Sequence, residues 1–159
     1  SFIYIVAKCA NEIEEFRYRF VDDKVLLYDE VGTSFTFMNK ETDLFKVVNV
    51  PMQNTLSEFE SLAKMTILNQ EEYFKGAPPV DSFIFSAMPW ISFTSISHTI
   101  SANKSKGQPL FDWGRFFEQN GRMMMPFSVQ VHHSFVDGIH VGKLVNKIQA
   151  CLDNPNTII

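Results

Sequence analysis

The stretch Leu110–Gly138, LFDWGRFFEQNGRMMMPFSVQVHHSFVDG, decides the fold. Two apolar runs, Leu110 to Phe117 and Arg122 to Val131, face each other across Glu118-Gln119-Asn120-Gly121. Asn-Gly between two such runs is the strongest short-range hairpin signal, because both residues tolerate the positive φ of a tight two-residue turn. The second run ends in His132-His133. From Gly138 onward Ile139, Leu144, Val145, Ile148 and Leu152 mark a closing helix.

Upstream the pattern is mixed. Phe2 to Glu15 suits a helix packed by one side, and Phe16, Tyr18 and Phe20 alternate with Arg17, Arg19 and Val21 as a strand does. Asp22-Asp23 signals a turn, Lys24 to Tyr28 a returning strand, and Ser34 to Met38 another. Leu56, Phe59, Leu62, Ala63 and Ile67 predict an amphipathic helix over about 55–74, ended by the loop Gly76-Ala77-Pro78-Pro79. Strands are expected at Ser82 to Met88 and Ile91 to Ile100, flanking Pro89-Trp90, with Ser101 to Gln108 as a polar loop. Strands outnumber helices and are joined by hairpins. A mixed β-sheet covered by helices is expected.

Composition narrows the function. The chain has 159 residues, a single domain by length, long enough to need no disulfide staples. With 45% hydrophobic and 20% charged residues it is globular, not disordered. Its 16 Phe predict a dense aromatic core with rings left over for a pocket or subunit interface. Fourteen basic against 18 acidic residues, a net charge of -4, argue against nucleic-acid binding. The apolar run Phe2 to Ala7 is too short to span a membrane, and a soluble, cytoplasmic protein is expected. Cys9 and Cys151, each among apolar neighbours, are expected as small buried hydrophobes, not as a disulfide or metal pair.

The chemistry concentrates in Val129 to Gly138. A general base for acyl transfer must reach the acceptor's proton and titrate near neutral pH, which a histidine does. Asp137-Gly138 lets the chain turn back and anchor the histidine loop. Read alone, two histidines at a strand end are equally surface residues, with Asp-Gly opening a helix.

Pro126-Phe127-Ser128-Val129-Gln130-Val131-His132-His133 through Asp137-Gly138-Ile139-His140-Val141-Gly142 resembles the active-site signature of the chloramphenicol acetyltransferases. Glu15-Phe16-Arg17, Tyr28-Asp29 before a Phe- and Thr-rich segment ending near Glu41-Thr42, and Ser86-Ala87-Met88-Pro89-Trp90-Ile91-Ser92-Phe93-Thr94-Ser95 are similar to the family's earlier segments, in the same order. The resemblance covers essentially the whole chain. It implies the family's α/β (α+β) fold, a two-layer sandwich of a mixed β-sheet covered by helices, a homotrimer with active sites at subunit interfaces, and acetyl-CoA-dependent transfer to a hydroxyl of chloramphenicol. His133 matches the general base, which activates the acceptor for direct attack on the thioester without an acyl-enzyme. Ser86 matches the serine that hydrogen-bonds the tetrahedral oxyanion, and Asp137 gives structural support to the loop. Arg115 and Phe116 match a pair serving the 3′-phosphate and adenine of coenzyme A. As bare residues, that pair reads equally as an outward Arg and an inward Phe on one strand.

Three departures accompany the match. The sequence starts several dozen residues inside the family pattern, so residues 1–159 read as one acetyltransferase domain lacking the N-terminal strand and helix. That segment would carry the arginine partnering Asp137. Asp112 stands where a small threonine is typical, and His98 replaces an apolar pocket residue with Ile96 beside it; all three are candidate acceptor-binding positions. His132 is expected as a packed neighbour, and His140 has no partner in sequence beyond the histidine pair. No metal site is expected: zinc on His132, His133 and His140 would lack Cys or carboxylate support and leave the thioester chemistry unexplained. Two alternatives stand beside this reading. One is a related CoA-dependent acyltransferase with another hydroxyl or thiol acceptor, such as the dihydrolipoamide acyltransferase core, whose motif usually has Arg after the first His, unlike His133-Ser134. The other is a non-catalytic family member that binds a hydrophobic ligand.

Overall fold

A computed structural model describes residues 1–73, 76–98 and 106–155. In chain order the elements are α1 (Phe2–Asn11), a 3-10 turn (Glu14–Arg17), β1 (Tyr18–Val21), β2 (Lys24–Leu27), β3 (Gly32–Met38), β4 (Phe45–Val50) and α2 (Leu56–Asn69). There follow β5 (Ser82–Met88), β6 (Leu110–Gly114), β7 (Phe117–Gln119), β8 (Arg122–Met124), β9 (Phe127–Gln130) and α3 (Gly138–Asp153). Five strands form a mixed sheet in the order β4-β3-β5-β6-β9. β5 runs parallel to both β3 and β6, while the outer pairs β3–β4 and β6–β9 are antiparallel. The expected α+β sandwich is the observed one.

The sheet has two unlike faces because successive side chains alternate. Phe35, Val48, Phe83, Phe85 and Phe111 point to the helices and join Tyr4, Val6, Phe16, Leu144 and Ile148 in the core. Phe111 sits at its centre, with ring centroids 5.3 Å from Phe85, 5.8 Å from Phe83, 6.0 Å from Phe127 and 6.2 Å from Phe16. The other face carries Ser34, Ser86, Asp112 and Ser128 in the paired registers.

The hairpin read from Asn120-Gly121 is present, with φ of 53° and 73° at its two turn residues. It is interrupted: β6 pairs with β9 and β7 with β8. Pro126 offers no N–H to continue the ladder, although its carbonyl still accepts from Gly114 N at 3.1 Å. A Cβ on Gly114 would lie 2.7 Å from the Ile91 carbonyl oxygen, so only glycine lets the 91–98 segment cross there. Asp22 and Asp23, φ 46° and 60°, make the β1–β2 turn in the same left-handed way.

Several expectations are corrected. Residues 91–98 form no strand; β5 already has a partner on each edge, so no ladder is open to them beside it. Positions 99–105, which held the end of that expected strand and most of the expected polar loop, lie outside the described residues. The first helix stops at Asn11, and Phe16 lies in the 3-10 turn, fully buried, instead of opening β1. The second helix ends at Asn69, after which the Tyr73 carbonyl accepts from Val47 N on β4 at 2.9 Å. β4 itself was not expected.

The start of α2 is set by Thr55. Its Oγ1 accepts from Glu58 N at 3.2 Å while the Glu58 carboxylate accepts from Thr55 N at 3.1 Å. Thr55→Ala is expected to cost about 1 kcal/mol, read as a lower urea midpoint at unchanged slope.

Arg19 is fully buried, with the Asp81 carboxylate near enough to favour its charged form. Its guanidinium donates to the carbonyls of Phe16, Tyr18, Val80 and Ser82 and lies over the Phe83 ring. Burial pulls its pKa down to about 10, which leaves it charged at neutral pH. The four acceptors replace its lost water, and β1 is thereby tied to the start of β5. Cys9 is buried as expected but Cys151 only half-buried, and the two free thiols are neighbours, with sulfurs 3.9 Å apart between α1 and α3.

Candidate active site

β9 ends at Gln130, and the chain turns through residues 132–136 before Asp137 caps α3. His133 stands on that turn, with its side chain 86% exposed. Its Nδ1 lies 3.4 Å from the Val136 carbonyl and 3.5 Å from Asp137 Oδ1. Both neighbours are acceptors, so the ring proton belongs on Nδ1 and the Nε2 lone pair is left bare. A bare Nε2 is what a general base needs.

The loop is held from the other side by His140. The Asp137 N–H donates to His140 Nδ1 at 2.9 Å, which places the His140 proton on Nε2, 3.3 Å from Glu15 Oε1. Sequence reasoning gave His140 no such partner. The available signal was its spacing, three residues after the helix cap, where a Glu or Gln usually reaches back. His132 is a packed neighbour: its Nδ1 accepts from Ser134 N at 3.2 Å and its ring meets Phe20 edge-on at 5.0 Å. With those nitrogens engaged, His132 and His140 serve the loop's own architecture.

Ser86 occupies a different part of the sheet. It lines a cavity of about 850 Å³ with Thr36, Phe37, Met38, Phe45 and Trp90, and His133 is not among the lining residues. The register explains this. Ser86 is level with Asp112 on β6 and Ser128 on β9, and His133 lies five residues further along the chain. Those residues run off the end of β9 at Gln130 and into the turn that follows. Within one chain the candidate base and the candidate oxyanion donor do not line the same cavity.

Asp112, next to Ser86 across the ladder, is fully buried and bonded through Oδ1 to His98 Nε2 at 2.9 Å. Burial pushes the Asp112 carboxyl above its usual range, and the His98 hydrogen bond pulls it part of the way back. Its Oδ2 has no protein partner among the described residues. Gln130 fixes residue 98 in place: its Oε1 accepts from His98 N at 3.0 Å and its Nε2 donates to His98 O at 3.3 Å. The sequence singled out His98 and Asp112 separately; their pairing and the Gln130 clamp are contributions of the fold. Ile96, two residues before, is half-buried. Arg115 and Phe116 follow β6 with both side chains outward, Phe116 61% exposed, so the inward Phe of the structural alternative is not observed.

A proton-accepting imidazole at the mouth of a sheet, and a hydroxyl on a strand that lines a wide apolar cavity, suit the transfer of an acyl group to a protonated acceptor. The chain is an acyltransferase. A sequence model of the family described as chloramphenicol acetyltransferase matches residues 1–149, so the chain belongs to that family. It is 30% identical over 156 residues to a chloramphenicol acetyltransferase of Klebsiella sp, covering 96% of this chain and 71% of the relative. To chloramphenicol acetyltransferase 3 of Escherichia coli it is 27% identical over 151 residues, covering 92% and 71%. Superposition on a solved chloramphenicol acetyltransferase gives a TM-score of 0.83 at 30% identity, over 94% of this chain and 74% of that one. The dihydrolipoamide acetyltransferase of Azotobacter vinelandii shares the fold, with a TM-score of 0.65 at 16% identity over 97% and 68%. No helix among the described residues is long and apolar enough to cross a membrane, and no group of three or more His, Cys, Asp or Glu among them could hold a metal ion.

Proposed function

We propose that residues 1–159 form an acetyltransferase domain that transfers the acetyl group of acetyl-CoA to a hydroxyl of chloramphenicol, inactivating the antibiotic. The observation that carries this reading is the orientation of His133, whose Nδ1 faces two acceptors and whose Nε2 is bare. Nε2 takes the proton of the acceptor hydroxyl as its oxygen attacks the thioester carbonyl. The C–O bond forms, a tetrahedral oxyanion develops, and collapse expels the coenzyme A thiolate. That thiolate takes the proton back from the imidazolium, so no acyl-enzyme is needed. Ser86 Oγ donates to the oxyanion, and Asp137 keeps the His133 ring in its tautomer. Outside the reacting atoms, Arg115 and Phe116 meet the 3′-phosphate and adenine of coenzyme A as a charge and an exposed stacking face. Ile96 and His98 contact the acceptor, and Asp112, expected to do the same but fully buried, orients the His98 ring from behind.

The separation of His133 from the Ser86 cavity within one chain supports a homotrimer in which the histidine of one copy completes the cavity of the next. The cytoplasm, where acetyl-CoA is made available, is the compartment this chemistry needs. The exposed Val25, Leu26 and Leu27 of β2 are consistent with surface that a second copy covers.

The test is thiol release from acetyl-CoA with and without chloramphenicol. Acceptor-dependent release supports the reading, and release that no hydroxyl acceptor stimulates refutes it. Ser86→Ala is expected to lower kcat about 10²–10³-fold, the usual loss for one oxyanion donor, with the KM for acetyl-CoA little changed. A second reading is favoured by the His98–Asp112 pair, which puts a buried carboxylate and an imidazole beside the Ser86 strand. Under it the acceptor is a more polar hydroxyl or thiol compound. A panel of such acceptors compared with chloramphenicol separates the two.

A further inference from the structure

The two cysteines take no part in the proposed chemistry, yet the fold brings them together from opposite ends of the chain. Cys9 lies on α1 and Cys151 on α3, with sulfurs 3.9 Å apart. A disulfide needs about 2.05 Å between sulfurs, so the required closure is under about 2 Å, within reach of side-chain rotation. The helix spacing on this side is held by an ion pair one turn away, Lys147 Nζ to Glu12 Oε2 at 2.6 Å. Beside the thiols is a cavity of about 330 Å³ lined by Ile5, Lys8, Glu12, Lys147 and Ala150 as well as both cysteines. It gives a small reagent access; Lys147 is already paired with Glu12, and the Lys8 ammonium suits a reagent that carries a carboxylate.

We propose that Cys9 and Cys151 are a modification site that closes to a reversible intrachain disulfide when the protein meets an anionic small-molecule disulfide such as glutathione disulfide. Cys151, the less buried thiol, reacts first. Its thiolate attacks one glutathione sulfur, a mixed disulfide forms, and one glutathione leaves as thiolate and takes up a proton. Cys9 then gives up its proton and attacks Cys151 Sγ, forming the Cys9–Cys151 bond and expelling the second glutathione. Two cysteines are oxidised, one glutathione disulfide is reduced to two glutathiones, and the two thiol protons end on them. Burial, with Cys151 adding to it, pushes the Cys9 thiol up to about 12, which assigns Cys9 the resolving step and makes that step the slow one. A thiol-rich cytoplasm keeps the pair reduced, so the bond forms under oxidative conditions and ties α1 to α3.

The experiment incubates the folded wild-type chain with excess glutathione disulfide, blocks remaining thiols with an alkylating agent and measures intact mass and a non-reducing peptide map. The expected product has lost about 2 Da, carries no alkyl group, yields one peptide pair joining Cys9 to Cys151, and reverts with dithiothreitol. Two alkylated cysteines, a bond between two chains, or cross-linking seen only in urea would overturn the proposal. Cys9→Ser is expected to stop at a stable glutathione adduct on Cys151; an unmodified Cys151 there would overturn the order of attack.

Discussion

Replacing His133 with alanine is expected to lower acetyl transfer about 10²–10⁴-fold, the range for loss of a positioned general base. The argument begins from exposure. The side chain is 86% exposed and makes only long contacts, at 3.4 and 3.5 Å, to its own loop. Its removal leaves no cavity and no buried orphan, so stability should stay within about 0.5 kcal/mol of wild type. Under the proposed mechanism, what disappears is the nitrogen that accepts the hydroxyl proton in the transition state. The loss should fall on kcat, with acetyl-CoA binding retained. Steady-state thiol release with thermal melting separates chemistry from folding. A variant that turns over at a near-normal rate would sink the assignment of His133.

Phe111→Ala is expected to be the most damaging core substitution, costing about 3–5 kcal/mol. Phe111 is completely buried in the middle strands, and four aromatic rings close on it within 6.2 Å. Truncation removes the contacts of an entire ring, and neighbours on a paired strand cannot collapse into the space. The melting temperature should fall by about 10 °C or more. Phe111→Leu, which keeps much of the volume, should lose far less. Asp112 is the next residue on β6 and points to the opposite face, so the alanine variant also loosens the strand that carries the His98 bond. Melting within about 2 °C of wild type would contradict the packing account.

The parts of the fold legible in the sequence were those with local causes. Asn120-Gly121 specified a left-handed two-residue turn, and the periodic apolar residues of α3 and α2 specified helices. β4 was hidden because Val47-Val48 are adjacent apolar residues and Lys46 lies in line with Val48 and Val50, which blurs the two-residue period. The 91–98 segment has strand-like composition, but β5, the strand it follows, is already paired on both edges, a fact that depends on which strands pair and not on its own residues. The candidate site divides in the same way. His133, Asp137 and Ser86 were visible as motif positions. The Glu15–His140 and Gln130–His98 contacts join residues far apart in sequence, and no local pattern encodes such meetings.

The parallel placement of β5 between β3 and β6 has a consequence for how the protein is made. Gly32 must find Ser82 and Ile84 must find Leu110 across long intervening chain, while the β6–β9 hairpin closes locally around Asn120-Gly121. During synthesis β5 leaves the ribosome before the strand that covers its second edge has emerged. Until the C-terminal hairpin docks, Phe83 and Phe85 lack Phe111, and a row of backbone donors and acceptors stays open. The nascent chain is therefore most prone to aggregate between the emergence of β5 and that of β6, and slower synthesis across that interval lengthens the exposure.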